Sequence, residues 1–331
     1  MRAGATVRVA RTTAASRAGA GGAALVVAGL SALPLTGDAG LMRAIVEFIT
    51  LLVLAQMWNL LAGYAGLVSI GQQAYIGLGG YALIVLADDC GVNPFLAVPL
   101  AGVVAAGFAL PTAALVFRFR DAYFAVGTWA VAEVYRLLVA NTDALGRGTG
   151  RTLKAVFPLA RETRELVTYA IAVAVGVAAV VAVYLYLRSR LGLGLMAVRD
   201  SEPASASLGV DVFRTKLAVY VVAAFGTGTT GALLYLNLLR ISPDAAFSIN
   251  WTAYTIFIVV IGGLGTLEGP IVGALVFFLL RRLLADYGAW YMILLGTLAV
   301  LVMMRYPQGL WGLVAERWDL HFFPVQRRVQ R

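Results

Sequence analysis

Charge is what this 331-residue sequence has least of: Asp, Glu, Lys and Arg make up 13% of it, against 61% hydrophobic residues. A water-soluble domain carries roughly 25% charged residues, so half that share excludes a chain whose whole surface is hydrated. Cysteine and histidine are nearly missing, with Cys90 and His321 the single examples. That excludes an internal disulfide and a Cys/His zinc site. It also leaves nucleophilic or acid–base catalysis with one imidazole, beside Phe322 and Phe323 in a polar stretch where an interfacial histidine is the simpler reading. Lysine occurs only at Lys154 and Lys216, and neither closes a G-x-x-x-x-G-K-[ST] phosphate loop. An enzyme, an intramembrane hydrolase included, therefore lacks its catalytic cluster here, and any ATP used must be hydrolysed by another chain.

What the sequence has in abundance is long apolar runs. They cover Ala18–Leu35, then residues 44–62, a shorter run ending at Ala87, 94–117, 123–139, 166–187, 217–239, 252–261, a continuation to 284, and 289–304. About 20 apolar residues span the hydrocarbon core, and shorter pieces indicate broken or buried helices. The fold class that follows is all-α, a polytopic transmembrane helical bundle of about ten spans, or eight or nine if the short pieces are re-entrant. Residues 1–17, with Arg2, Arg8, Arg11 and Arg17, read as a disordered basic start, 18–312 as the transmembrane domain, and 313–331 as a tail. The first run fits a signal anchor or a cleaved signal, and the membrane-embedded remainder favours a retained helix.

The net charge of +9 does not point to nucleic acid, because the basic residues lie in connectors and at the ends, without an aromatic-interleaved patch. Anionic lipid and the positive-inside rule account for it. Ten spans put both termini on one side together with residues 188–216. That side holds most of the 26 Lys and Arg, so it is expected to be cytoplasmic, with 88–91 and 141–165 outside.

Two Gly-rich breaks interrupt apolar segments. One covers 63–71, with Ser69, Gln72 and Gln73. The other covers 262–270, with Gly262, Gly263, Thr266 and Glu268. Such clusters either let helices pack closely or let the backbone unwind beside a cavity. The densest polar group away from the ends is Asn59, Ser69, Gln72 and Gln73, with Tyr75 nearby. These residues read as the lining of a solute path, with Gly262 and Gly263 offering backbone, or as ties holding a broken helix to its neighbours. Glu47 follows Arg43 by four residues and Glu133 precedes Arg136 by three, spacings that suit intrahelical ion pairs; a ligand role for Glu133 is the alternative. No chain of intramembrane carboxylates suggests a proton relay. In the 188–216 loop, Ser201, Pro203 and Gly209 bracket a short capped helix between basic flanks. It suits docking into a partner's groove.

Five stretches together resemble LivM-type permeases, subunits of bacterial ABC importers for branched-chain amino acids and related solutes. They are Trp58-Asn-Leu-Leu-Ala-Gly-Tyr-Ala-Gly-Leu-Val-Ser-Ile-Gly-Gln-Gln through Tyr81, Arg120-Asp-Ala-Tyr-Phe-Ala-Val-Gly-Thr-Trp through Arg136, the segment from Gly192 to Val210, the segment from Ile261 to Ala274, and Pro307-Gln-Gly-Leu-Trp-Gly312. The resemblance covers about residues 42–312. It implies a multi-pass permease of the inner membrane, embedded in lipid, with termini in the cytoplasm and no cofactor of its own. ATP and Mg would be bound by two cytoplasmic ATPase subunits. A second permease (LivH-like, or a second copy) and an extracytoplasmic solute-binding protein complete the implied assembly. The loop would carry ATPase coupling at Arg199, Asp200, Glu202, Ala204, Ala206 and Gly209. The chain departs from the family pattern at Arg147-Gly-Thr-Gly-Arg151, where Gly-Gly-Pro-Asn-Gly is common, and at Gln72, where His is common. The solute is thereby left open between branched-chain amino acids, urea or short amides, and small carboxylates. The rival of another class is an ATP-independent channel or secondary transporter.

Overall fold

The structure is a computed structural model that describes residues 8–10, 14–284, 287, 290–306, 308–318, 322–323 and 328–330. His321 lies outside the described residues. Of the basic start, residues 8–10 form strand β1 (Arg8–Ala10) and residues 14–17 open helix α1 (Ala14–Ala32). Helices α2 (Ala39–Asn59), α3 (Gln73–Ile84), α4 (Pro94–Val116) and α5 (Asp121–Ala140) follow. A two-residue strand β2 (Arg151–Thr152) precedes α6 (Arg161–Arg188), α7 (Arg190–Asp200), α8 (Glu202–Ser207) and α9 (Val212–Leu238). Strand β3 (Arg240–Ile241), α10 (Pro243–Ala246), α11 (Ile249–Gly262), α12 (Gly269–Leu284), α13 (Trp290–Arg305), α14 (Gly309–Trp318) and β4 (Arg328–Gln330) complete the order. Strand β1 pairs antiparallel with β4, and β2 with β3.

The chain is an all-α polytopic bundle. Among the described residues, eight stretches are long and apolar enough to cross a bilayer, from Ala18–Leu35 to Ile293–Trp318. Helix α3, extended by a π turn over Val85–Asp89, and α12, of 16 residues, rise only about 26 and 24 Å at 1.5 Å per residue. That is short of the roughly 30 Å hydrocarbon core, and both begin at a Gly-rich break. Contacts sort the connectors into two ends. At one end, residues 65–68, 119–122 and 198–203 line one cleft, and Glu268 meets Phe323. At the other, the Arg151 guanidinium grips Asp89 at 2.6 and 2.7 Å, Asp88 accepts from the Lys154 and Ala155 amides, and Arg136 pairs with Asp244.

Helix α2 is central. Every residue from Ile49 to Asn59 is buried, so no polar face remains for solvent or lipid, the pattern of a helix enclosed by others. Small residues set the packing around it. Ala97, Ala101, Ala105, Ala109 and Ala113 recur every fourth residue on α4 and are fully buried. They pack on α9, where a Cβ built on Gly228 would lie 2.3 Å from that of Ala105. Close approach of backbones through such stripes gives dispersion contacts that lipid cannot match.

One expected pair is corrected. Arg43 and Glu47 do not bond each other. Arg43 pairs with Glu165 at 3.2 Å and Glu47 with Arg281 at 3.0 Å, because α6 and α12 bring opposite charges alongside α2. Glu133 and Arg136 do pair, at 2.6 Å.

A Cβ at Gly79 would come within 2.0 Å of the Gly228 carbonyl oxygen, whereas one at Gly107 meets nothing within 4 Å. Gly79→Val is expected to lower stability by about 1–3 kcal/mol or more through overpacking, and Gly107→Val to leave it unchanged. Thermal unfolding in detergent checks the contrast. Equal midpoints for the two variants would contradict the packing.

Candidate functional site

The two Gly-rich breaks lie against each other, and α2 supplies the side chains that join them. Helix α2 continues as a π turn through Tyr64 before it stops. Gln56 and Asn59 are three residues apart, so both point from one face, and both are fully buried. Gln56 Nε2 donates to the Leu267 carbonyl at 2.8 Å, and Asn59 Nδ2 to that of Thr266 at 2.8 Å. Asn59 Oδ1 accepts from the Gly265 amide at 2.9 Å. Three backbone groups of the unwound segment are thus satisfied by two amides. The break is closed on itself by Thr266, whose Oγ1 donates to the Gly263 carbonyl and accepts from the Gly269 amide, each at 3.0 Å. Gly263 takes φ 134°, a backbone region that side chains with a Cβ avoid. The breaks touch directly, since a Cβ on Gly63 would lie 2.6 Å from the Gly265 nitrogen, and the second is tightly folded on itself, since one on Gly262 would lie 1.9 Å from the Gly269 carbonyl oxygen.

The first break is fastened differently. Trp58 Nε1 donates to the Ser69 carbonyl at 2.8 Å, the Ser69 hydroxyl accepts from the Gly71 amide at 3.2 Å, and the Ile70 amide donates to Thr128 Oγ1 at 3.1 Å. Helix α3 then opens among hydroxyls. Gln72 Oε1 accepts from Thr227 on α9 at 2.7 Å, and Gln73 Oε1 accepts from Thr252 on α11. Among the described residues, two buried amide atoms near here have no protein partner, Gln56 Oε1 and Gln72 Nε2. An unpartnered polar atom at membrane depth costs several kcal/mol. Tyr75 packs edge-on against Tyr220, with ring centres 5.8 Å apart.

Asn59, Ser69, Gln72, Gln73, Tyr75, Gly262 and Gly263 are therefore gathered around the breaks and buried. Glu133 is not among them. It sits with Arg136 and Asp244 at the far end. The sequence reading missed Gln56, Thr128, Thr227 and Thr252. The spacing of Gln56 and Asn59 inside an apolar helix was the available signal; the threonines gave none, since a lone hydroxyl also satisfies itself on its own helix.

The 188–216 connector folds as two helices. Ser189 caps α7 and Ser201 caps α8, each hydroxyl accepting an amide three residues on at 3.4 Å. Gly209 leaves α8 with φ 84°. Pro203, Ala204, Ala206 and Ser207 are exposed, Leu208 is 83% exposed, and Glu202 pairs with Lys216. Asp200 is exposed as well. Arg199 is exposed too, but its side chain reaches inward. Its guanidinium donates to the Gly63 carbonyl and lies 3.3 Å from where a Cβ of Gly265 would be. A cleft of about 620 Å³ separates α7 and α8 from the start of α5 and the first break.

Against this geometry the relatives can be set. Residues 40–303 match the family described as the branched-chain amino acid transport system permease component. The chain is 27% identical over 278 residues to the high-affinity branched-chain amino acid transport system permease protein LivM of Salmonella typhimurium, covering 76% of this chain and 65% of that protein. It is 27% identical over 298 residues to the Escherichia coli protein of the same description, covering 81% and 70%. A probable branched-chain amino acid transport permease protein LivM of Methanocaldococcus jannaschii is 23% identical over 306 residues, covering 76% and 87%. This chain thus spans about two thirds of the length of the two enterobacterial relatives. No solved structure matches it. The match over the greater part of the bundle, breaks and α7–α8 connector included, establishes that the chain belongs to the branched-chain amino acid transport permease family.

Proposed function

We propose that this chain is the permease subunit of an ATP-driven importer of the inner membrane and that its solutes are branched-chain amino acids. A second permease subunit, two cytoplasmic ATPase subunits that bind ATP and Mg, and an extracytoplasmic solute-binding protein complete the assembly. The observation that carries the reading is Arg199. It ties the α7–α8 connector to the first Gly-rich break by a hydrogen bond and lies against Gly265 of the second. The exposed Pro203, Ala204, Ala206 and Leu208 form the surface an ATPase would grip. Residues 188–216 and the termini are assigned to the cytoplasm.

A push on α8 is passed to α7 across the single extended residue Ser201, which joins the two helices. Arg199 then pulls on the Gly63 carbonyl at the C-terminal, negative end of α2. Hydrogen bonds to charged groups contribute about 1.5–3 kcal/mol, and 1.4 kcal/mol shifts a two-state equilibrium tenfold. One such bond is therefore enough to bias inward-open against outward-open arrangements of the broken helices. Gln72, with its Nε2 free of protein partners, is the residue of the buried group assigned to the solute path.

Two experiments test this. In proteoliposomes containing the assembled complex, leucine uptake is expected only with ATP inside and binding protein outside; uptake that persists without ATP would support a channel or secondary transporter instead. In the same complex, Arg199→Gln is expected to keep the ATPase bound while solute-stimulated ATP turnover and uptake fall about tenfold, the loss of one charge-assisted bond. Dissociation of the ATPase from that variant would make Arg199 a docking residue and refute the relay.

A further inference from the structure

A cavity of about 250 Å³ opens at the end of the bundle opposite α7 and α8, between the first turns of α2 and α6 and the last turn of α9. Arg43, Arg161 and Arg164 line it with a single acid, Glu165. Glu165 is shared by Arg43 at 3.2 Å and Arg161 at 2.9 Å, and Arg164 has no ion pair among the described residues. The lining therefore keeps two positive charges in excess. Helix α6 presents its N-terminal end here without a side-chain cap, and its dipole favours an anion over a cation; the start of α2 is already capped by the Asp38 carboxylate. Two neutral groups complete the wall. Thr168 is 4% exposed, and neither its hydroxyl nor the Asn237 amide has a hydrogen-bond partner among the described residues.

Excess guanidinium charge, an uncapped helix start, a buried hydroxyl and an amide without partners all ask for one ligand. It must be an anion with several oxygens. Phosphate suits paired guanidiniums best, because their planar donors meet its oxygens two at a time. The surroundings identify the source. Leu41 and Leu238, neighbours in sequence of the lining residues, are 42% and 53% exposed, and α2, α6 and α9 are membrane-crossing helices. A charged notch with an apolar rim at the end of spanning helices sits where headgroups lie. We propose that this cavity binds the phosphate of an anionic phospholipid, held by Arg43, Arg161 and Arg164 with Thr168 and Asn237 as neutral donors.

Native mass spectrometry of the purified full chain in detergent tests this, with phosphatidylglycerol, phosphatidylcholine and inorganic phosphate as probes. One phosphatidylglycerol is expected to be retained at least about tenfold more strongly than phosphatidylcholine, and Arg164→Gln with Thr168→Val to abolish that preference. Inorganic phosphate should displace the lipid only at far higher concentration. Equal retention of the two lipids in the wild-type chain would overturn the proposal without recourse to any variant. So would phosphatidylglycerol retention unchanged by Arg164→Gln. Displacement by inorganic phosphate at matched concentration would assign the cavity to a free anion. Loss of binding-protein capture in Arg164→Gln, with lipid retention intact, would assign it to a protein carboxylate.

Discussion

Two amides on one helix make the rest of this bundle possible. A helix that unwinds at membrane depth exposes backbone donors and acceptors that lipid cannot satisfy, each at a cost of several kcal/mol. Gln56 and Asn59 take up the Gly265 amide and the carbonyls of Thr266 and Leu267. They do so from the stretch of α2 that is buried at every residue, Ile49 to Asn59, so their own position is fixed by packing on all sides. The break between α11 and α12 is thus held by α2, and α2 itself stops beside it.

From that junction the architecture follows. Because α12 starts at the break, it runs antiparallel along α2, and its Arg281 reaches Glu47 near the opposite end. Because α2 stops at Gly63, its last carbonyl is available to Arg199 from outside the bundle. The short α3 fits between α4 and α9 only through glycines, with Gly79 facing the Gly228 carbonyl. Its first residues, Gln72 and Gln73, are tied to threonines on α9 and α11. Helix α12 thus packs along α2 and α3 along α9 and α4, and both start at a Gly-rich break.

The membrane character, the helical class, the two breaks and the capped α8 were legible in the sequence. Each depends on local composition: apolar runs, Gly clusters, and a Ser–Pro–Gly pattern. Helix α6 was read as starting at 166 but begins at Arg161, because a polar first turn looks like loop to an apolar-run criterion. Helix α7 was hidden by Gly192 and Gly194, whose low helix propensity is overridden by packing of Leu195 and Val198. Partners distant in sequence were not legible at all. Arg43 finds Glu165 on another helix rather than the Glu47 four residues away, and Arg199 reads as a surface cation until the fold places Gly63 beneath it. Among the proposed path residues, the sequence located Asn59 and Gln72 but not the carbonyls and hydroxyls they meet.

The most direct measurement is hydrogen–deuterium exchange across residues 263–269 in the wild-type chain and in Asn59→Ala. Removing the acceptor of the Gly265 amide leaves that group unpaired at a cost of about 1–3 kcal/mol. Exchange in this segment is therefore expected to accelerate by about ten- to a hundredfold, with α4 and α9 unchanged. Protection of residues 263–269 that survives Asn59→Ala undiminished would show that the break is held by something other than α2, and the account would fail at its root.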